Sequence, residues 1–181
     1  MIVDAFAAVR QPDATLLICG TGSERDALER RAVACGVAPR VRFEGHVSRE
    51  RIGDYFAAAD VFVHAAELEA AGNVVLEALA AGAVAIVTDS GGPGEYVEDG
   101  MNGFVIPVGD TGALTARLEA LLSNPALRDT LAAAGRQRVE RRHAYPRMIG
   151  DVRGVYDAVR RPAMPANLPF APRRGVATSS R

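Results

Sequence analysis

Apolar positions along the chain recur with two different periods, and the switching between them predicts the architecture. Met1, Ile2, Ala5, Phe6 and Val9 fall on one helical face, so the chain opens in a helix-forming segment. Ala14–Cys19 (ATLLIC) is a short apolar run suited to a buried strand, and Gly20-Thr21-Gly22 breaks it. Ser23 is placed to cap a helix that reaches Cys35, where Gly36 stops it. Val41–Glu44 predicts a second strand ending at Gly45, and Ser48 caps a helix through Ala59. Asp60–Ala65 holds a third strand, Asn73–Ala81 a helix ended by Gly82, and Val84–Thr88 a fourth strand. Gly91-Gly92-Pro93-Gly94 predicts a loop, Glu95–Val97 a short helix and Phe104–Pro107 a short strand. Asp110 or Thr111 opens a helix to Leu122, and Pro125 starts another that runs to Arg142. Pro146 interrupts that run, and a last helix extends to Arg160.

Short apolar strands alternating with helices predict an α/β, Rossmann-like fold: a parallel sheet with helices on both faces. Ligands of such sheets bind outside the carboxyl ends of the strands. The site is therefore expected among Gly20–Ser23, Gly45–Ser48, Ala65–Asn73 and Asp89–Gly94. No internal repeat and no second core is visible. Residues 1–160 read as one domain, and residues 161–181, rich in Pro and small residues, as a flexible basic tail.

Composition adds limits. A net charge of -1 over 181 residues gives no whole-chain reason to expect nucleic acid or an anionic membrane as partner. The chain has no Lys, so all 21 basic residues are Arg. Cys19 and Cys35 lack ligand or redox spacing and read as two small buried hydrophobes in a reduced, cytoplasmic protein. No His pair or acid cluster has metal-ligand spacing. No apolar run is long enough to span a bilayer, and Met1–Arg10 lacks the pattern of a signal peptide.

The residues that could carry chemistry concentrate in Glu67–Gly82, ELEAAGNVVLEALAAG. Gly72 and Asn73 sit where a helix begins, and its free N–H groups and positive dipole end suit an anion. Gly72 would let a phosphate approach the backbone closely. Glu77 shares a face with Asn73 amid apolar neighbours and could accept hydrogen bonds from vicinal hydroxyls such as those of a ribose. A solvated helix position is the competing reading for Glu77, and an exposed loop acid for Glu69. Together the two acids bracket a phosphate site, which suits a ligand with a sugar at each end of a diphosphate.

With these residues in place, the chain resembles the retaining glycosyltransferases of family 4, which have the GT-B fold. That family carries a Glu-x7-Glu motif here, and Glu69 to Glu77 has its spacing. The likeness runs in order through RVRFEGHVSRERIGDYFAAADVFV, GNVVLEALAAG and TDSGGPGEYVEDGMNGFVIPVGD, and covers residues 1–160. It implies the C-terminal, donor-binding half of an enzyme that transfers a hexose from a nucleotide-diphospho-sugar to an acceptor. Retention, no metal and no cofactor come with the family. Glu77 would hold the ribose, and Glu69, the catalytic candidate, would meet hydroxyls of the transferred sugar. Gly72, Asn73 and Val74 would cradle the diphosphate. Gly45, His46 and Val47 would line the base pocket, and Gly20 and Gly22 the cleft floor. On its own the GxG reads as a strand-to-helix turn, and Gly91-Gly92-Pro93 flanks the site with a plain turn as its competing reading.

Departures from the family pattern are specific. Ala65-Ala66 stands where Pro-Ser is usual, Ala71 where a bulky residue is, and Val84 where Pro is. The family's diphosphate-binding Arg and Lys belong to a strand-loop that should precede Met1, as does the acceptor-binding half. The resemblance therefore leaves a second expectation: a catalytically silent nucleotide-sugar-binding module, or a truncated product needing a separate acceptor half. Expected partners are a nucleotide sugar and that missing half, with no nucleic acid. The expected place is the cytoplasm or the inner face of the membrane, though membrane contact is not indicated. Among the histidines, His46 is expected at the cleft edge and His64 as a hydrogen-bonded core residue. His143 is expected on a solvated face of the basic segment Arg136–Arg147, which could instead meet a partner domain or anionic lipid.

Overall fold

The structure, a computed structural model, describes residues 1–160. The expected flexible tail, residues 161–181, lies outside the described residues. Met1–Ala144 forms one compact unit, and the residues from Tyr145 belong to another. The expected single domain of residues 1–160 thus includes a helix that packs as a separate unit.

In the first unit the chain alternates as its apolar periods require. The elements are α1 (Ile2–Ala8), β1 (Leu16–Cys19), α2 (Arg25–Ala34), β2 (Val41–Gly45), α3 (Arg49–Ala58) and β3 (Val61–His64). They continue with α4 (Asn73–Ala81), β4 (Val84–Thr88), α5 (Pro93–Tyr96), β5 (Gly103–Ile106), α6 (Thr111–Ser123) and α7 (Pro125–Arg142). Every ladder is parallel. β1 pairs with β2, and β3-β4-β5 form a three-stranded sheet with β4 in the middle. The expected strand from Ala14 is shorter, because Ala14 and Thr15 find no ladder partner and pairing starts at Leu16 opposite Val41.

The caps follow from backbone chemistry. Asp110 accepts from the Ala113 N–H, and Asn124 from the Leu127 N–H, so α6 and α7 both begin on a side-chain acceptor. Gly82 ends α4 in the left-handed region at φ 98°. Ser23 does not cap α2; the segment before Arg25 is a turn, and Glu24 occupies the cap position.

Each face of the three-stranded sheet has its own cover. Val84, Ile86, Phe104 and Ile106 point to α1, α6 and α7 through Ala5, Val9, Leu114, Leu118, Leu121 and Leu131. Ala85 and Val87 point the other way, against Val75 and Leu79 of α4. Burying a side chain such as Leu79 completely contributes about 1.5–3 kcal/mol. The smaller sheet packs Leu16, Ile18, Val41 and Phe43 against Val3, Phe6 and Ala32 of α1 and α2. α1 therefore belongs to both interiors.

In the second unit, α8 (Tyr145–Val159) has no buried residue. Tyr145, Met148, Ile149, Val152, Val155, Tyr156 and Val159 recur at helical spacing and are exposed.

Candidate functional site

Pairing is parallel within each sheet, so the loops after β1 and β2 share one edge of the smaller sheet and those after β3 and β4 one edge of the larger. Gly20 follows β1, Gly45 ends β2, Ala65–Gly72 follow β3 and Asp89–Gly92 follow β4. The Gly20 N–H donates to the Gly45 carbonyl at 2.7 Å, which ties the first two loops together. Gly20 and Gly45 both have left-handed φ, 133° and 67°. His46 is exposed next to Gly45, at the edge expected for it.

The loop between β3 and α4 is held from several sides. The Thr88 hydroxyl, buried at the end of β4, donates to the Ala66 carbonyl at 2.6 Å. The Glu69 N–H donates to the Ser90 carbonyl, and the Gly92 N–H donates back to the Glu69 carbonyl. This two-way pairing forces close approach: a Cβ on Gly91 would stand 2.7 Å from the Glu69 carbonyl oxygen, and one on Gly92 would strike the Ala70 carbonyl. Gly91-Gly92-Pro93 is therefore more than a plain turn. Gly72 has φ 67°, and a Cβ there would stand 2.7 Å from Pro93 Cγ. Packing alone thus requires glycine at 72, before any ligand is considered.

Glu69 is the electrostatic centre of this loop. Its Oε1 accepts from the Ala71 and Gly72 N–H groups, each at 3.1 Å. Those donors hold the carboxyl below the usual glutamate range, and His64 adds to the effect. His64 Nε2 lies 3.8 Å from Glu69 Oε2. That nitrogen is buried and makes no hydrogen bond, so His64 is not the hydrogen-bonded core residue expected. The Gly72 N–H, expected for an anion, is already engaged by Glu69. The N–H groups of Asn73 and Val74, in the first turn of α4, have no partner within the helix. Glu77 stands one turn on and is exposed.

Three residues near these loops escaped sequence reasoning. Arg25, at the start of α2, puts its guanidinium over Phe43, 5.5 Å from the ring centroid, and beside Gly45. It also pairs with Glu29 at 2.8 Å. Leu68, next to Glu69, is 89 % exposed. Thr88 carried a signal, since it is the one polar residue closing the run VAIVT.

Away from these loops, two expectations fail. Cys19 is exposed, because β1 has a strand neighbour on one side among the described residues. Arg136–Arg147 is not simply a solvated face. Arg136 donates to the Ala81 carbonyl, Arg138 bonds Glu98, and His143 packs edge-on against Tyr96 at 5.2 Å. Burial and the nearby Arg138 and Arg142 push the His143 pKa down.

The pattern of the family described as Glycosyl transferases group 1 matches residues 1–138. The chain belongs to that family. This group 1 chain is 37 % identical over 131 residues to the lipopolysaccharide core biosynthesis glycosyltransferase LpsE of Rhizobium meliloti, covering 72 % of this chain and 38 % of LpsE. It is 33 % identical over 163 residues to the phosphatidyl-myo-inositol mannosyltransferase of Mycobacterium leprae, covering 88 % and 42 %. Its fold is shared with Anabaena HepE, solved in complex with UDP, at a TM-score of 0.80 and 24 % identity, covering 87 % and 44 %. The chain spans about two fifths of the length of the curated relatives it matches. Among the described residues, no helix is long and apolar enough to cross a membrane.

Proposed function

We propose that this chain is the donor-binding half of a retaining family 4 hexosyltransferase with the GT-B fold. One observation carries the reading: Glu69 and Glu77 flank the left-handed Gly72 at the start of α4, where the loops after β3 and β4 meet. Glu77 accepts from the vicinal hydroxyls of the donor's ribose. The diphosphate rests on the Asn73 and Val74 N–H groups at the positive end of α4. Gly72 shapes the turn, since its own N–H serves Glu69. Glu69 keeps Oε2 for hydroxyls of the transferred sugar. Gly45, His46 and Val47 frame the base, and Gly20 and Gly22 form the floor. The reaction needs neither metal nor cofactor, and a cytoplasmic setting goes with a nucleotide-sugar donor. The relatives support this: LpsE is a glycosyltransferase by name, and HepE binds UDP.

A second reading is a module that binds nucleotide sugar without turnover, completed by a separate acceptor half. One observation favours it: Arg25, a cation beside Gly45, is already paired to Glu29. A leaving diphosphate needs positive charge, and losing such a clamp costs several kcal/mol of transition-state stabilisation.

Thermal unfolding with UDP, GDP and their sugars tests the shared claim. At about 100 times Kd the right nucleotide adds about 2.7 kcal/mol of stability, and Glu77→Ala removes the gain. If no nucleotide raises Tm and Glu77→Ala behaves as the parent, the donor site is wrongly assigned. Release of free nucleotide from the stabilising sugar nucleotide, with this chain alone, separates turnover from binding.

A further inference from the structure

β3 closes on His64, and the residues before it, Val61, Phe62 and Val63, are all apolar. Phe62 stands edge-on to Phe56, with ring centroids 5.4 Å apart, and the His64 imidazole stacks beside Phe62 at 6.2 Å. An apolar side chain at position 64 would serve this packing equally well. Instead a ring nitrogen is buried there, and among the described residues Nε2 has no hydrogen-bond partner. A buried polar atom left unbonded carries a desolvation cost, so its presence calls for a use.

That nitrogen faces one carboxylate. Glu69 Oε2 stands 3.8 Å away, too far for a hydrogen bond. Glu69 Oε1 takes the Ala71 and Gly72 N–H groups, each at 3.1 Å. The terminal torsion of a glutamate is soft, so this grip on Oε1 still lets Oε2 swing. The backbone on both sides of the pair is firmer. The Thr88 hydroxyl lies 3.5 Å from the His64 carbonyl and bonds the Ala66 carbonyl at 2.6 Å. The Glu69 N–H and carbonyl are both bonded to the segment from Ser90 to Gly92. Charge decides the tautomer of the ring. One nitrogen of a neutral imidazole donates and the other accepts. A lone pair on Nε2 would be repelled by the carboxylate, so Nε2 carries the hydrogen.

We propose that His64 is a positioning residue for the transferred sugar: its Nε2–H closes on Glu69 Oε2 when a sugar hydroxyl donates to the same oxygen. The proposal rests on the donor reading of Glu69. A swing of about 1 Å brings the pair into hydrogen-bond range, and a carboxylate oxygen has lone pairs for both donors. The bond then exists only with the sugar in place, so His64 favours a nucleotide sugar over the bare nucleotide. Satisfying the buried N–H at that moment adds to the preference. Because Nε2 is buried, it acts on the sugar through Glu69.

The test titrates the chain with UDP, UDP-glucose, GDP and GDP-mannose by calorimetry. The readout, for the base that binds, is the Kd of the nucleotide divided by the Kd of its sugar. His64→Leu is expected to lower this ratio about tenfold, the worth of one hydrogen bond to a charged group, with the nucleotide Kd unchanged. His64→Gln, whose amide also donates, keeps the ratio within about threefold of the parent. In a Glu69→Ala background, His64→Leu lowers the ratio no further. A merely structural histidine gives other patterns: both ligands weaken together, the ratio stays put, or Gln fails as Leu does. Each of these overturns the proposal and leaves the donor site standing. Binding of none of the probes overturns the donor reading, and this proposal with it. If His64→Leu does not fold, NMR of the His64 ring nitrogens in the parent decides. The Nε2–H signal is expected to move with the nucleotide sugar and not with the nucleotide. No movement, or equal movement with both, overturns the proposal.

Discussion

β1 and β4 are written in nearly the same alphabet, LLIC and VAIVT, yet the structure treats them differently. Every residue of β4 has no exposed surface, because it has a strand on each side and helices on both faces. In β1, Leu17 is 40 % exposed and Cys19 is open to solvent. The side chains are equally apolar; what differs is the neighbours. Burial is thus a property of position in the layer, and an apolar run states only what a strand could bury.

The largest effect should come from testing that contrast directly. Leu79→Ala, in the buried face against β4, is expected to cost about 2–5 kcal/mol. Leu17→Ala should stay within about 0.5 kcal/mol. Urea unfolding of the two variants measures both, and equal losses would show that the β1–β2 pair is packed as tightly as the larger sheet.

The loops repeat the contrast on a smaller scale. Gly92→Ala drives a Cβ into the Ala70 carbonyl, whereas a Cβ at Gly22 meets nothing within 4 Å. We expect about 1–3 kcal/mol for the first and almost none for the second. Denaturation midpoints decide it. A tolerant Gly92→Ala would mean that the Glu69 loop gives way instead of resisting.

The smallest effect separates the two carboxylates held in the two halves. Asp4 is kept below the usual range mainly by its hydrogen bond to Arg31, and Glu69 by the backbone N–H groups of Ala71 and Gly72. Both folded-state pKa values are depressed. Their contribution is complete above the unfolded carboxylate range, near about 4, and is lost as pH falls through the lowered folded values. Asp4→Asn and Glu69→Gln should each flatten the acid limb of stability against pH. Salt should weaken the Asp4 share, which depends on an ion pair, more than the Glu69 share. Equal salt sensitivity would argue against backbone donors as the hold on Glu69.

Much of the fold was legible because local chemistry and tertiary position agreed. Asp110, Pro125 and Gly82 announce helix ends through groups that act within a few residues. The acids around Gly72 were legible as a spacing, Glu69 to Glu77. Their bonding was not, because the donors to Glu69 belong to a turn whose shape depends on Gly91 and Pro93, some twenty residues on. His64 and Cys19 were misread for the same reason: each depends on what lies beside its strand, which an apolar run does not record. Arg138 looked like surface charge until its partners, Glu98 and the Glu95 carbonyl, came from forty residues away.

α1 also has a bearing on how the chain is made. The Ala5 carbonyl accepts from the Thr115 hydroxyl, 110 residues downstream, and the Arg10 N–H donates to Glu119. During vectorial synthesis α1 leaves the ribosome well before α6, and these contacts wait for α6 to follow. Contacts of such long sequence separation slow folding and leave apolar surface uncovered meanwhile. One face of α1 can thus close early on α2 and β1, while the other stays open until α6 has been made.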